Sequence, residues 1–229
     1  MYYSGIIPED VANGLGCRVS IFISGCDNKC EGCFNKELWD YNYGKKFSNF
    51  TFNDIVKYVR NPLIKGITLL GGDPLSEKNA EDVLQFILRY KKYVHKHEDN
   101  GCKNKDNIWI YSGYTYEELM SRDDITRKIL QNCDVLVDGP FIKDLKDLSL
   151  KFRGSSNQRV IDLKNSIASD KIILLDLGEN ISITSVSKEK KTDLNNFRKI
   201  IENSFSTVKN IIKEKIIDKI FPSSSDSIK

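Results

Sequence analysis

Residues 18–33 of the chain read RVSIFISGCDNKCEGC, and the fold and the chemistry both start from this stretch. Residues 18–24 are rich in β-branched and aromatic side chains and stop at Gly25, a pattern typical of a buried strand. Cys26, Cys30 and Cys33 follow in the next loop with the spacing Cys-x3-Cys-x2-Cys. Three cysteines placed so closely indicate a metal or redox site.

Beyond this loop, short apolar runs alternate with segments of helical periodicity. We predict strands at residues 18–24, 66–70, 107–111 and 134–138, and helices at residues 52–59, 79–96 and 116–131. Asn79 is the expected N-cap of the second helix, and the third helix is expected to break near Ser121. This order predicts an α/β fold whose strands pair in parallel through right-handed crossovers.

The C-terminal part of the sequence has a different pattern. Residues 171–177 and 180–186 flank Gly178 and are expected to pair as a hairpin. Residues 194–221 carry one apolar stripe, which predicts an amphipathic helix with Thr192 as its N-cap and Pro222 at its end. We therefore divide the chain into a first domain at residues 1–165, an extension at residues 166–221 and a disordered tail at residues 222–229.

Composition excludes several classes of function. The chain has 229 residues, of which 40% are hydrophobic, enough for a sizeable globular core. Its net charge is only +3, and residues 171–229 hold that excess, so no basic stripe for nucleic acid is expected. The apolar runs are too short to span a bilayer, and residues 1–5 do not resemble a secretory signal. A cytoplasmic protein without disulfides is the expectation.

Structural zinc and disulfide exchange are the other interpretations of the cysteine triplet. A structural zinc site takes four ligands, commonly as two closely spaced pairs, and the sequence has no second pair. The remaining candidate ligands have no supporting motif and are Cys17, Cys102, Cys133, His95 and His97. The Cys30-x2-Cys33 pair also lacks the helix start that lowers the pKa of a redox thiol. Three thiolates suit an iron–sulfur cluster that leaves one iron open.

A second motif follows the second predicted strand. Gly71 and Gly72 end the strand and let the backbone approach a ligand closely, while Asp73 offers a carboxylate and Pro74 follows. Together with the triplet, this Gly-Gly-Asp-Pro turn resembles the two signatures of the radical S-adenosylmethionine superfamily, in which the turn commonly reads Gly-Gly-Glu-Pro. Asp73 is one methylene shorter than that glutamate.

The sequence resembles more closely the family of activating proteins of anaerobic ribonucleoside-triphosphate reductases, where an aspartate at this turn is familiar. The matching pieces lie at residues 11–14, 16–20, 24–35, 39, 71–75, 108–114, 135–139, 144–150 and 153–158. The resemblance covers about residues 1–163, and no counterpart is recognised from about residue 168 onward. It implies an incomplete (β/α) barrel, open on one side for a protein substrate, followed by the C-terminal extension.

The resemblance also implies a reaction. A reduced [4Fe–4S] cluster would cleave S-adenosyl-L-methionine into methionine and a 5′-deoxyadenosyl radical, which takes a hydrogen atom from a glycine of the reductase. The partners would be the large glycyl-radical subunit and a reductant such as flavodoxin or ferredoxin. The cofactors supply the hard chemistry, so no catalytic acid or base is expected from the protein.

Site residues follow from the same resemblance. It assigns Cys26, Cys30 and Cys33 to the cluster, and Gly71, Gly72 and Asp73 to the methionine end of the cofactor, with Asp73 facing its ammonium. Adenine is expected against Gly32, Cys33 and Phe34. Ser112 and Gly113 end a third strand at the same edge, where ligands bind in parallel α/β folds, and Asp138 ends the fourth. Residues 153–158 are expected either to form a capped turn or to dock the partner's glycine loop.

Two other functions remain open from sequence alone. The chain could activate a different glycyl-radical enzyme or act on a small molecule, although such enzymes are usually longer, and the eight-cysteine insert of some activators is absent. It could also be a zinc-binding module without enzymatic activity. Trp109 and Tyr111 are expected to pack in the core, and Cys17, Cys102 and Cys133 are expected to be buried or plain thiols.

Overall fold

The computed structural model describes residues 1–178 of the chain. The strand predicted at residues 180–186, the helix predicted at residues 194–221 and the predicted tail lie outside the described residues. Within residues 1–178, no helix combines the length and the apolar character needed to cross a membrane.

One mixed sheet organises residues 1–178, with five α-helices around it. Along the chain the elements are β1 (Tyr2–Asp10), β2 (Cys17–Ile23), β3 (Lys45–Lys46), α1 (Asn49–Val59), β4 (Ile64–Gly71), α2 (Glu77–Lys96), β5 (Asn107–Tyr111), α3 (Tyr116–Ser121), α4 (Asp124–Gln131), β6 (Val135–Asp138), β7 (Arg159–Asp162) and α5 (Leu163–Ser169). The strand order is β3-β1-β2-β4-β5-β6-β7. The four neighbours β2, β4, β5 and β6 run in parallel, as predicted, so their carboxyl ends meet at one edge. The α/β class is confirmed.

The two faces of the sheet have different surroundings. Val19, Ile21 and Ile23 of β2 are buried in the large core that also contains the apolar residues of the helices. Because side chains alternate along a strand, Arg18, Ser20 and Phe22 point to the opposite face. There a smaller buried cluster surrounds Trp109, and this is the face on which the site lies.

Side-chain caps explain where the helices begin. Ser48 caps α1 through a capping box with Thr51, and Thr115 does the same for α3 with Glu118. Asp123 accepts a hydrogen bond from the backbone N–H of Thr126 and starts a separate helix, α4. The predicted break near Ser121 is confirmed because this cap restarts the helix.

The predicted cap of α2 is wrong. This helix begins at Glu77 after Ser76, so Asn79 lies inside the first turn. Asn79 is buried, and its side-chain amide donates to the backbone carbonyls of Ser24 (3.0 Å) and Asp73 (3.1 Å). The sequence predicted that Asn79 caps the helix. In the structure its side-chain amide instead links the start of the cysteine loop to the Gly-Gly-Asp turn.

Three antiparallel strands were not predicted, namely β1, β7 and the two-residue β3. β1 pairs with β2, and its register shifts between Tyr3 and Gly5 and between Ile7 and Asp10. Gly5 and Pro8 interrupt the apolar pattern there, and the irregular register is what accommodates a proline in a strand. β7 is only four residues long and pairs with β6, too short for a periodic signal.

Residues 171–177 lie beside β7. Leu174 forms an isolated antiparallel bridge with Ile161, and the Leu175 N–H donates to the carbonyl of Val160 at 2.8 Å. α5 runs across the predicted domain boundary at residue 165, and the boundary itself remains a prediction. The second half of the predicted hairpin lies outside the described residues.

The core assignment can be tested with one leucine inside β4 and one just before it. Leu69 is fully buried within β4, whereas Leu63, one residue before the strand, is 67% exposed. Leu69→Ala should lower the free energy of unfolding by about 2–5 kcal/mol because it leaves a cavity. Leu63→Ala should change it by about 0.5 kcal/mol or less. Urea unfolding of the metal-free chain, followed by circular dichroism, measures both, and equal losses would contradict the assignment.

Candidate functional site

A cavity of about 460 Å³ lies at the edge where the parallel strands end. Its wall includes the residues that follow β2, β4, β5 and β6, together with a segment from Phe141 to Gln158. The lining residues are Ala12, Asn13, Phe22, Cys26, Asn28, Cys30, Cys33, Phe34, Asn35, Trp39, Leu70, Gly71, Gly72, Tyr111, Ser112, Gly113, Gly139, Phe141, Leu150, Phe152, Arg153, Gly154 and Gln158. Ligands in parallel α/β folds bind at this edge, so the cavity is the candidate site.

The three cysteines of the loop share this cavity. Cys26, Cys30 and Cys33 are half-buried free thiols, and all three contribute to the lining. The loop turns tightly, with Gly32 at a φ of +76° and the Cys33 N–H donating to the Cys30 carbonyl at 3.2 Å. Burial raises the pKa of the Cys26 thiol, and the negative charge of Asp73 acts in the same direction. A bound cation would reverse that effect and hold the thiolate.

The loop is anchored at its start by backbone hydrogen bonds. The N–H groups of Gly25 and Cys26 donate to the carbonyls of Leu38 (2.8 Å) and Trp39 (3.3 Å). After the cysteines the chain therefore returns beside the end of β2, and these hydrogen bonds hold the two ends of the loop together.

The end of β4 packs directly against this anchor. The Gly72 N–H donates to the Ile23 carbonyl at 2.7 Å, and the Asp73 N–H donates to the Gly25 carbonyl at 2.8 Å. A Cβ at position 72 would lie 2.5 Å from the Gly25 oxygen and 2.8 Å from the Leu38 oxygen. Only glycine fits this approach, which explains the second glycine of the turn.

Asp73 does not line the cavity. Its side chain is fully buried and accepts hydrogen bonds from Asn28 Nδ2 (2.9 Å), the Ser112 hydroxyl (3.1 Å), the Gly113 N–H (3.0 Å) and the Leu75 N–H (2.9 Å). Burial raises the pKa of the carboxyl to about 6, against the hydrogen bonds, which lower it. The carboxylate joins three parts of the site together.

The other residues chosen from sequence divide into two groups. Ser112 and Gly113 line the cavity, as does Phe34, whose side chain is 90% exposed at its mouth. Gly32 does not line it and packs instead against the side chain of Lys143. Asp138 is buried, accepts from Arg159 and from the Tyr116 N–H at 2.7 Å, and so ends its strand as a satisfied carboxylate.

The segment from Phe141 to Gln158 forms much of the cavity wall, and only residues 153–158 of it were singled out from sequence as a candidate part of the site. Lys146 forms an isolated antiparallel bridge with Ser155, and the Ser156 N–H donates to the Leu145 carbonyl at 2.9 Å, so residues 145–156 form a hairpin-like loop closed by this one bridge. We call residues 145–156 the rim hairpin. Phe152, within it, adopts a φ of +61°, a left-handed conformation that is uncommon for a bulky non-glycine residue.

Phe152 joins the rim hairpin to the sheet. Its ring packs edge-on against Trp109 with centroids 5.3 Å apart, and its carbonyl accepts from the Tyr111 hydroxyl at 2.9 Å. Trp109 is a core residue, as predicted, whereas Tyr111 lines the cavity. The alternation of residues 107–111 did not distinguish them because both point to the same face.

Arg18 lies on the same face of the sheet as the cavity, near the start of β2. It is buried, and its guanidinium donates to Thr68 Oγ1 (2.7 Å), Asn107 Oδ1 (2.9 Å) and the Ile67 carbonyl (2.6 Å). It also lies 5.3 Å from the centre of the Trp109 ring, and burial lowers its pKa to about 10. The cavity is thereby limited to the carboxyl-terminal half of the strands.

The donor set fits an iron–sulfur cluster better than a single ion. Within residues 1–178, no three His, Cys, Asp or Glu side chains come close enough together to hold one metal ion. A cubane cluster is larger and takes its thiolates at separate corners, which three cysteines around one cavity can provide. Cys17 begins β2, the strand that leads to the loop, so it lies roughly 20 Å from the strand's other end. Cys102 and Cys133 are buried, as predicted.

Comparison with known proteins agrees with this donor set. Residues 12–161 match the family model of the 4Fe-4S single cluster domain. Relatives named anaerobic ribonucleoside-triphosphate reductase-activating protein include those of Escherichia coli (strain K12), Pasteurella multocida (strain Pm70) and Enterobacteria phage T4. They are 39%, 41% and 36% identical over 72%, 69% and 70% of this chain, and over 100%, 95% and 93% of their own lengths.

The chain belongs to the family of anaerobic ribonucleoside-triphosphate reductase-activating proteins. The resemblance inferred from the sequence motifs is thereby confirmed. Nearly the whole length of each of these activating proteins aligns with this chain. The cysteine loop and the Gly-Gly-Asp turn both lie inside the matched residues 12–161.

The close approach at Gly72 gives a test of the site's architecture. Gly72→Ala should lower the free energy of unfolding by about 1–3 kcal/mol and reduce the iron retained after anaerobic reconstitution, because the new methyl group pushes apart β4 and the loop. Gly5→Ala is the control, since a Cβ there meets nothing within 4 Å. Chemical denaturation and iron analysis measure the two effects. Wild-type values for Gly72→Ala would show that the approach tolerates a side chain.

Proposed function

We propose that this chain activates an anaerobic ribonucleoside-triphosphate reductase by generating a glycyl radical on it. The observation that carries the proposal is the opening of Cys26, Cys30 and Cys33 into one cavity at the ends of four parallel strands. The relatives are named as activating proteins of this reductase, which supplies it as the partner. The three cysteines would bind three irons of a [4Fe–4S] cluster and leave the fourth for S-adenosyl-L-methionine.

When bound, the cluster and S-adenosyl-L-methionine supply one-electron cleavage of the C5′–S bond, which yields methionine and a carbon radical able to take hydrogen from glycine. The chain's own residues position and shield this chemistry. Gly71 and Gly72 present bare backbone to the methionine end, and Phe34 is available for the adenine. Phe22 and Leu70 contribute apolar side chains to the wall, which would limit water beside the cofactor.

The remaining expectations belong to the same proposal. The four parallel strands with their helices would correspond to the wall of an incomplete (β/α) barrel, whose open side admits a protein substrate. Arg153 would face the cofactor or the partner segment, because it is the one basic side chain among the lining residues, all of which lie within residues 1–178. The electron would come from a reductant such as flavodoxin or ferredoxin in the cytoplasm.

The decisive experiment measures 5′-deoxyadenosine without the reductase. Wild-type chain, reconstituted anaerobically and given dithionite and S-adenosyl-L-methionine, should form it, whereas Cys30→Ala should form at least about a hundredfold less. Cys17→Ser is the matched control and should keep the wild-type rate, because Cys17 lies at the far end of β2. A wild-type chain that binds zinc and no iron, and yields no product, would refute the proposal.

The rim hairpin lies where the partner's glycine segment would enter. Leu148 at its tip is 88% exposed and does not line the cavity, while Leu150, two residues later, does. A glycine Cα can reach the cavity only by passing its mouth, so an apolar tip there would pack against the incoming segment.

Leu148→Asp should weaken binding to the reductase by about tenfold, since it forfeits most of the burial of one leucine. Formation of 5′-deoxyadenosine without the reductase should stay at the wild-type rate. Leu63→Asp, at the opposite edge of the sheet, is the control for an added charge. Surface plasmon resonance and the glycyl-radical EPR signal measure the two steps. Unchanged affinity for Leu148→Asp would exclude the hairpin tip from the interface.

A further inference from the structure

Asp73 is the point at which three separate parts of the site meet. Its carboxylate accepts from Asn28 in the cysteine loop at 2.9 Å, from Ser112 and Gly113 after β5 at 3.1 and 3.0 Å, and from the Leu75 N–H in its own turn at 2.9 Å. The Ser112 hydroxyl is 3.1 Å from both carboxylate oxygens. These contacts cross 45 residues of sequence to Asn28 and 40 to Gly113.

The hydrogen-bonding capacity of this carboxylate is already used inside the protein. An ionised carboxylate offers about four lone-pair positions, and four donors occupy them here. The side chain has no exposed surface and is absent from the cavity wall. A ligand's ammonium could therefore reach Asp73 only by displacing one of these donors.

Asn28 is the residue through which Asp73 reaches the cysteine loop. It lies between Cys26 and Cys30, lines the cavity, and has its Nδ2 3.9 Å from the Cys26 sulfur. A Cβ at Gly113 would collide with the Asn28 amide, so the amide is packed directly on the end of β5. The loop is thus tied to the sheet by one side chain located among the cysteines.

We propose that Asp73 is a positioning residue, which holds the cysteine loop against the end of β5 through Asn28. The identity of the group held by the cysteines rests on the proposed function. The hydrogen bonds belong to the metal-free chain and can be tested without any cluster. Asp73 then supports the geometry of the thiolates, and the glycines before it contact the ligand.

The first test uses the metal-free full chain and needs no cofactor. Lys29 is exposed in the loop and adopts a φ of +46°, so trypsin cleavage after it reports release of the loop. Asn28→Ala and Asp73→Asn should each accelerate this cleavage by about tenfold, because each removes a hydrogen bond to a charged group. The double variant should be no faster than either single one. Glu37→Gln, which changes an exposed carboxylate shortly after the loop, is the matched control.

The second test uses the reconstituted protein. Iron and sulfide per chain should fall several-fold in both Asn28→Ala and Asp73→Asn, and the affinity for S-adenosyl-L-methionine should fall together with the cluster content. Full iron in both variants, with weakened cofactor binding in Asp73→Asn alone, would overturn the proposal and make Asp73 a direct ligand contact. Wild-type cleavage after Lys29 in Asn28→Ala would overturn it as well.

The two tests distinguish a failure of the proposed function from a failure of the positioning role of Asp73. If the wild-type chain takes up no iron, the proposed function fails, while trypsin cleavage still decides whether Asp73 holds the loop. If Asp73→Asn does not fold, as judged by circular dichroism, Asn28→Ala decides alone because it leaves the carboxylate in place.

Discussion

The contact between Gly72 and the backbone that begins the cysteine loop is the constraint on which the rest of the site depends. The Gly72 and Asp73 N–H groups donate to carbonyls of Ile23 and Gly25, at a distance that leaves no room for a side chain on residue 72. Backbone-to-backbone approach of this kind sets the position of the loop relative to the sheet more rigidly than side-chain contacts, which can change rotamer. The three thiols, the turn and the cavity take their positions from this junction.

Polar side chains then secure the junction from inside the protein. The Asn79 amide reaches the carbonyls of Ser24 and Asp73, while the Asp73 carboxylate gathers donors from Asn28 and from the end of β5. A buried charge is costly unless its hydrogen bonds are made, and the donors around Asp73 meet that condition. The same groups that lower the energy of burying the carboxylate also connect distant parts of the chain. The hydrogen bonds that stabilise the buried Asp73 carboxylate therefore also position the cysteine loop relative to the sheet.

Much of the fold follows from the sequence because its central strands are strongly apolar and end at glycine or at a polar residue. The runs that became β2, β4, β5 and β6 were predicted within about two residues, and parallel pairing followed from the alternating helices. β1 and β7 were missed because Gly5, Pro8 and the four-residue length of β7 leave no periodic signal. These strands become regular only by pairing with a neighbour that the sequence cannot point to.

The site shows the same division between sequence and structure. The spacing of Cys26, Cys30 and Cys33 and the Gly-Gly-Asp turn determined the donor set and the close backbone approach, since both are local properties of a few consecutive residues. Only the tertiary structure decided that Asp73 faces Asn28 and Gly113 rather than the cavity, and that Asn79 bridges two loops rather than capping a helix. The physical reason is that a buried polar side chain must find partners wherever the fold brings them near, and Asn28 and Gly113 lie 45 and 40 residues from Asp73 in the sequence.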